Sequence, residues 1–147
     1  MTTTIVPAVP ADFPELAEVW ETSVRATHGF LHVQDLELIK SLLVTDFLPA
    51  VRLFLLRDEA GPVMGFLGVS DEQVEMLFMR PAYRGAGVGK RLMRFAIDEL
   101  GLRKVDVNEQ NEQAVGFYRH LGFIATGRSP VDAMGKPYPI LHLALAQ

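Results

Sequence analysis

Gln73-Val-Glu-Met-Leu-Phe-Met79-Arg-Pro-Ala-Tyr-Arg84-Gly-Ala-Gly87-Val-Gly89-Lys90-Arg-Leu-Met-Arg94 runs from a short apolar segment, through a turn and a glycine cluster, into a helical pattern. Val88, Leu92, Ala96 and Leu100 recur on one face of that helix, so the stretch reads as strand, loop and helix. Glycines at 85, 87 and 89 let backbone N–H groups approach a ligand, and the helix N-terminus adds partial positive charge. The loop is therefore a candidate cradle for a phosphate or pyrophosphate. Spacing rejects two nucleotide loops. An ATP-type P-loop needs glycine where Arg84 stands and serine or threonine where Arg91 stands. A dinucleotide fingerprint counted from Gly85 needs glycine where Lys90 stands, although Asp106 lies at a suitable distance for a ribose partner.

Upstream of this stretch, Asp12-Phe-Pro-Glu15 predicts a helix start, with Asp12 as cap and Glu15 answering it, and the helix runs to about residue 26. Leu36, Ile39, Leu42, Leu43 and Phe47 predict a second helix ending near Pro49, with Thr27–His32 as the connection. Val51–Leu56, the turn Asp58–Gly61 and Val63–Val69 form a hairpin, which Gln73–Met79 continues. Downstream, the helix from Val88 reaches Leu100, and Lys104–Asn108 is another strand. Asn111 caps a helix that Gly122 stops, and Phe123–Gly127 with Ile140–Leu145 close the sheet. The result is an α/β chain with about seven strands in a mixed, mostly antiparallel sheet and about four helices, expected as a single domain over residues 1–147.

The 147 residues carry a net charge of −4, which gives no reason to expect nucleic acid or an anionic membrane as partner. Charge is unevenly placed. Arg80, Arg84, Lys90, Arg91 and Arg94 contribute +5 with no acidic residue between them, so the remainder carries −9. No apolar run is long enough for a membrane span or a secretory signal. The absence of cysteine excludes disulfides, thiolate metal sites and a cysteine nucleophile. A cytoplasmic protein is expected, as a monomer or homodimer.

Met79–Lys90 resembles the Arg/Gln-x-x-Gly-x-Gly/Ala signature of the GNAT superfamily of N-acetyltransferases, which likewise follows a strand. Val107-Asn108-Glu-Gln-Asn111 and the later Phe117-Tyr118-Arg-His-Leu-Gly122-Phe123 resemble the second half of that family's fold. Ala26-Thr-His28 with Phe30-Leu31, and Gly135-Lys-Pro-Tyr138-Pro139, extend the likeness over nearly the whole chain. The resemblance implies an acetyl-CoA-dependent N-acetyltransferase acting on a primary amine of a small molecule or a protein. Its alternative is an acyl-CoA sensor on the same fold, which would need neither an acid nor a base.

Carried over residue by residue, the resemblance assigns the coenzyme to backbone groups of Leu77, Phe78 and Met79 and to Arg84, Gly85, Ala86, Gly87, Val88, Gly89 and Lys90. Asn108 would bind the pantetheine or a water, and Asn111 would contact the coenzyme or only cap its helix. Tyr118 is implied as the acid facing the departing thiolate. Glu75, placed on the same face as Leu77 by strand alternation, is the first candidate base, and His28 the second. Substrate contacts are expected from His28, Phe30, Leu31, Glu75 and Tyr138. His28 and His32 lie at metal-pair spacing but lack a third ligand, so no metal is expected. Without cysteine, direct transfer in a ternary complex is favoured over a covalent intermediate; Ser70 lacks the glycine of a hydrolase elbow.

Overall fold

Alternation and helical periodicity translate into seven strands and four main helices in a computed structural model that describes residues 4–146. In chain order these are β1 (Ile5–Pro7), α1 (Phe13–Thr27), α2 (Val33–Leu42), β2 (Arg52–Arg57), β3 (Val63–Val69), β4 (Val74–Met79), α3 (Val88–Asp98), β5 (Lys104–Asn108), α4 (Glu112–His120), β6 (Phe123–Ser129) and β7 (Ile140–Leu145). The sheet order is β1-β2-β3-β4-β5-β7-β6. Every pairing is antiparallel except β4 with β5, which is parallel. None of the helices of the described residues is long and apolar enough to cross a membrane.

β2 and β3 are buried almost continuously because helices cover both of their faces. On one side Leu16, Val19, Trp20 and Val24 of α1 pack with Leu53, Leu55 and Phe66. On the other, Leu92, Met93 and Ala96 of α3 and Val115 of α4 pack with Leu56, Leu67, Val105, Val107 and Leu143. β5 alternates instead. Val105 and Val107 point into the core, while Lys104 and Asp106 are exposed on the opposite face.

Three local expectations are corrected. Asp12 and Glu15 do not cap α1 as a pair: Asp12 Oδ2 accepts the Val9 N–H and Oδ1 accepts from Arg57. Glu15 accepts the Val63 N–H at 2.8 Å and faces Arg57 and Arg80, tying α1 to the sheet. Burial raises the Glu15 pKa, but the Val63 N–H and the two guanidinium groups outweigh it and hold the carboxyl below its ordinary value. The second helix keeps its expected bounds, starting at Val33 after the Thr27–His32 connection and ending close to Pro49, but after Leu42 it widens into a π-helical turn over Leu43–Phe47. Residues five apart lie on different sides of an α-helix. The wider turn, with Leu48 N–H bonded to Leu43 O at 2.8 Å, lets Leu43 and Leu48 both face the core. Finally, α3 ends at Asp98, before Gly101, which has φ +69°; β6 continues two residues beyond Gly127.

Candidate active site

A parallel strand pair normally forms a continuous ladder, yet β4 and β5 are paired only at Val74↔Val105. Beyond that point they separate toward their C-terminal ends. A cavity of about 810 Å³ occupies the slot. Leu77, Phe78 and Met79 line one side, Val107 and Asn108 the other, and Arg84, Gly85, Gly87, Val88, Gly89 and Lys90 close the end. Because β4 has lost β5 as partner there, its edge is available to a strand-like ligand.

The glycine loop is held from below. Tyr83 donates its hydroxyl hydrogen to Asp58 at 2.8 Å, and the Arg80 Nε donates to Val63 O at 2.8 Å. Arg80 also meets Glu15 and Glu18, so it serves the α1 interface rather than the anion cradle. Gly87, with φ +80°, stands immediately before α3, a conformation that a side chain would strain. Ala86 lies outside the main cavity, in a neighbouring depression with Lys90, Arg91 and Arg94.

Tyr118 projects from α4 to the cavity wall between Phe117 and Phe123, with edge-on ring contacts at centroid distances of 5.2 and 5.9 Å. It is 5% exposed, and its hydroxyl has no hydrogen-bond partner among the described residues. Burial raises its pKa well above that of an ordinary phenol, so the group keeps its proton and can donate it in a hydrogen bond without transferring it. Asn111 also lines the cavity, but its side-chain oxygen caps α4 by accepting the Ala114 N–H. The Asn108 oxygen accepts the Gln110 N–H at 2.9 Å.

Away from the glycine loop the cavity is lined by Glu75 and His28, with Ser23, Thr27, Val74 and Asp106. Glu75 does not share the face of Leu77. Gly68 pairs with Met76 and Val69 with Val74, so Glu75 is the extra residue of a β-bulge and the alternation is broken there. Leu77 packs into the core under α3, whereas Glu75 accepts from Gln73, whose amide also reaches Asp106. His28 is bonded through Nδ1 to Thr27 Oγ1 at 2.6 Å, and that hydroxyl gives its single hydrogen to Ser23 O. Nδ1 therefore carries the ring proton and Nε2 the lone pair. Burial pushes the His28 pKa down to about 4, so it is a hydrogen-bond acceptor at neutral pH.

Phe30, Leu31 and Tyr138 do not line the cavity. Tyr138 is 4% exposed; it donates to Asp35 and accepts the His32 N–H, so it braces the α1–α2 connection against the β6–β7 connection. Phe30 lies between His28 and Tyr138, and Leu31 packs beneath α1. They form the wall behind His28. Sequence reasoning passed over Phe117, Gln113 and the place of Asp106 in the site, all three of which line the cavity. For Asp106 the signal was present, since a carboxylate between two inward valines must face the other side of the sheet.

The family model for an acetyltransferase (GNAT) domain matches residues 40–136. The peptidyl-lysine N-acetyltransferase YjaB of Escherichia coli (strain K12) is 45% identical over 130 residues, covering 88% of each chain. The solution structure of apo-form YjaB from Escherichia coli superposes with a TM-score of 0.91 at 40% identity, over 99% of both chains. A PaiA N-acetyltransferase from Thermoplasma acidophilum, solved in complex with coenzyme A, superposes with a TM-score of 0.75 over 99% of this chain and 100% of its own. At 18% identity that match shows the fold alone.

Proposed function

The chain belongs to the GNAT acetyltransferase family and is an acetyl-CoA-dependent N-acetyltransferase, and from that premise we propose that it acetylates the side-chain amine of lysine in peptides or proteins. The carrying observation is the slot between β4 and β5, onto which the lone Tyr118 hydroxyl and the Glu75 carboxylate both open. Its dimensions and donors suit the coenzyme: a free strand edge for the pantetheine arm, and glycine N–H groups with Arg84 and Lys90 for the phosphates. The lysine acceptor is supported by the 45% identical relative named for that activity. On this reading residues 1–147 form one catalytic domain of a cytoplasmic enzyme.

The coenzyme supplies an acetyl group activated as a thioester. The protein's residues must deliver a neutral amine to it and stabilise the sulfur that leaves. A lysine amine of pKa about 10.4 is neutral in only about one molecule in 2,500 at pH 7. Glu75 is the base that removes its proton, from an open position where the product proton can pass to solvent. His28, kept neutral by burial, receives an amine N–H on Nε2 and orients the nucleophile. Tyr118 donates its hydrogen bond to the developing thiolate, without surrendering a proton that its environment holds so firmly. With no cysteine in the chain, transfer is direct, within a ternary complex.

The test is mass spectrometry of lysine peptides, N-terminally blocked or free, after incubation with the protein and acetyl-CoA. Acetylation at the lysine of the blocked peptide is expected. Modification confined to free α-amines would overturn the lysine assignment.

A further inference from the structure

Glu75 ends a hydrogen-bonded chain that crosses four strands. The Gln73 amide donates to Glu75 Oε1 at 2.9 Å and to Asp106 Oδ2 at 3.2 Å. Asp106 Oδ1 meets His142 Nδ1 at 2.7 Å, and His142 Nε2 meets Ser129 Oγ at 2.7 Å. Register explains the alignment: Asp106 lies opposite His142, and His142 opposite Gly127, two residues before Ser129 on β6. All project from the sheet face opposite the core that Val105, Val107 and Leu143 build under α3 and α4.

The directions of these bonds are constrained. An ionised carboxylate only accepts, so His142 Nδ1 carries hydrogen in either charge state, and the neutral ring accepts from the Ser129 hydroxyl at Nε2. Both Glu75 and Asp106 require the amide nitrogen of Gln73 rather than its oxygen, since a flipped amide would aim its carbonyl at two anions. The orientation of Gln73 is thereby set by Glu75 and Asp106 together, and Asp106 adds a second anchor beyond Glu75 itself. Glu75, exposed on its bulge, would otherwise distribute its carboxylate among many rotamers.

We propose that Gln73 is a positioning residue for Glu75, and that Asp106, His142 and Ser129 fix the orientation in which it holds that carboxylate. The inference rests on the assignment of Glu75 as the base. The charged group shown against His142 is Asp106 on β5, at 2.7 Å.

The test measures acetylation of an N-terminally blocked lysine peptide by Gln73→Leu, His142→Phe, His142→Asn and Glu75→Gln, singly and in pairs with Glu75→Gln. Asparagine retains a side-chain N–H near the place of Nδ1. Gln73→Leu and His142→Phe should lower kcat about tenfold at unchanged KM for acetyl-CoA, and His142→Asn should recover to within about twofold of the parent. On the Glu75→Gln background neither substitution should lower the rate further. Equal loss in His142→Phe and His142→Asn, or additive loss on that background, overturns the inference. If His142→Phe proves unfolded by thermal melting, Gln73→Leu carries the same decision from the edge of the cavity. An impaired Glu75→Gln beside a normal Gln73→Leu overturns this inference alone, whereas an unimpaired Glu75→Gln overturns the base assignment on which it rests.

Discussion

Tyr118 is informative as a single residue because its ring is buried while its hydroxyl, unpaired among the described residues, opens into the cavity. In Tyr118→Phe the ring contacts to Phe117 and Phe123 survive and the unpaired oxygen is gone. The thermal midpoint of the free protein should stay close to that of the parent, acetyl-CoA affinity should be unchanged, and kcat should fall at least tenfold. Calorimetry beside steady-state rates separates these effects, and a loss of stability matching the loss of rate would count against the role. His28 offers a pH signature. Its native pKa of about 4 lies below the ordinary value of 6.5, so between those values the unfolded chain binds the proton and the native one resists it. The stability associated with neutral burial is complete above about pH 6.5 and lost as pH falls toward 4. The difference is on the order of 3 kcal/mol before solvent screening reduces it. Urea midpoints at pH 7.5 and 4.5 should differ less in His28→Phe than in the parent.

At the scale of elements, the turn from β4 into α3 joins two demands, a left-handed backbone and an open anion site. Gly87→Asp tests both. An aspartate before α3 is a favourable helix cap, which offsets part of the strain at φ +80°, yet it sets a negative charge where phosphates are to bind. The free protein should melt within a few degrees of the parent, while the rise in midpoint on adding acetyl-CoA should disappear. The path of this turn was legible in the sequence because glycine spacing and helix periodicity report local backbone geometry. So were β5, β7 and the Asn111 cap, whose bounds and bond match the pattern. What failed was non-local. Glu15 looked like the second half of a capping box, but its side chain went to a backbone group and two arginines brought to it by the sheet. Glu75 was placed by an alternation that a bulge interrupts, and no composition rule marks a bulge at Val-Glu-Met. Tyr138 carried the look of a pocket aromatic, and its burial followed only once two distant loops met.

Across the whole molecule, charge and cover are distributed to opposite ends of one slot. Arg84 and Lys90 close the end that would receive phosphates, while Glu75 and Asp106 mark the end that would receive a cation. The low net charge conceals this polarity, which the concentration of basic residues between Arg80 and Arg94 already announced. The site as a whole was legible to the extent that it lies along contiguous sequence; the Gln73–Asp106–His142–Ser129 chain was not, because the turn before β4 and three separate strands contribute one residue each.

The single register point between β4 and β5 has a mechanical meaning. Two blocks of sheet, β1 to β4 and β5 with β7 and β6, share backbone pairing only at Val74 and Val105, and beyond that point the core under α3 and α4 is what joins them. A ligand that laces the open edge acts as a temporary eighth strand, and the stiffness it confers is shared by both blocks rather than confined to the loop that grips it. Amide hydrogen exchange should therefore slow on adding acetyl-CoA at Leu77 and Met79 and also at Val107 across the gap, while the distant β1–β2 edge keeps its rate. Protection limited to residues 84–90 would mean that the two leaves move independently and that the pairing of Val74 with Val105, rather than the guest, sets their spacing.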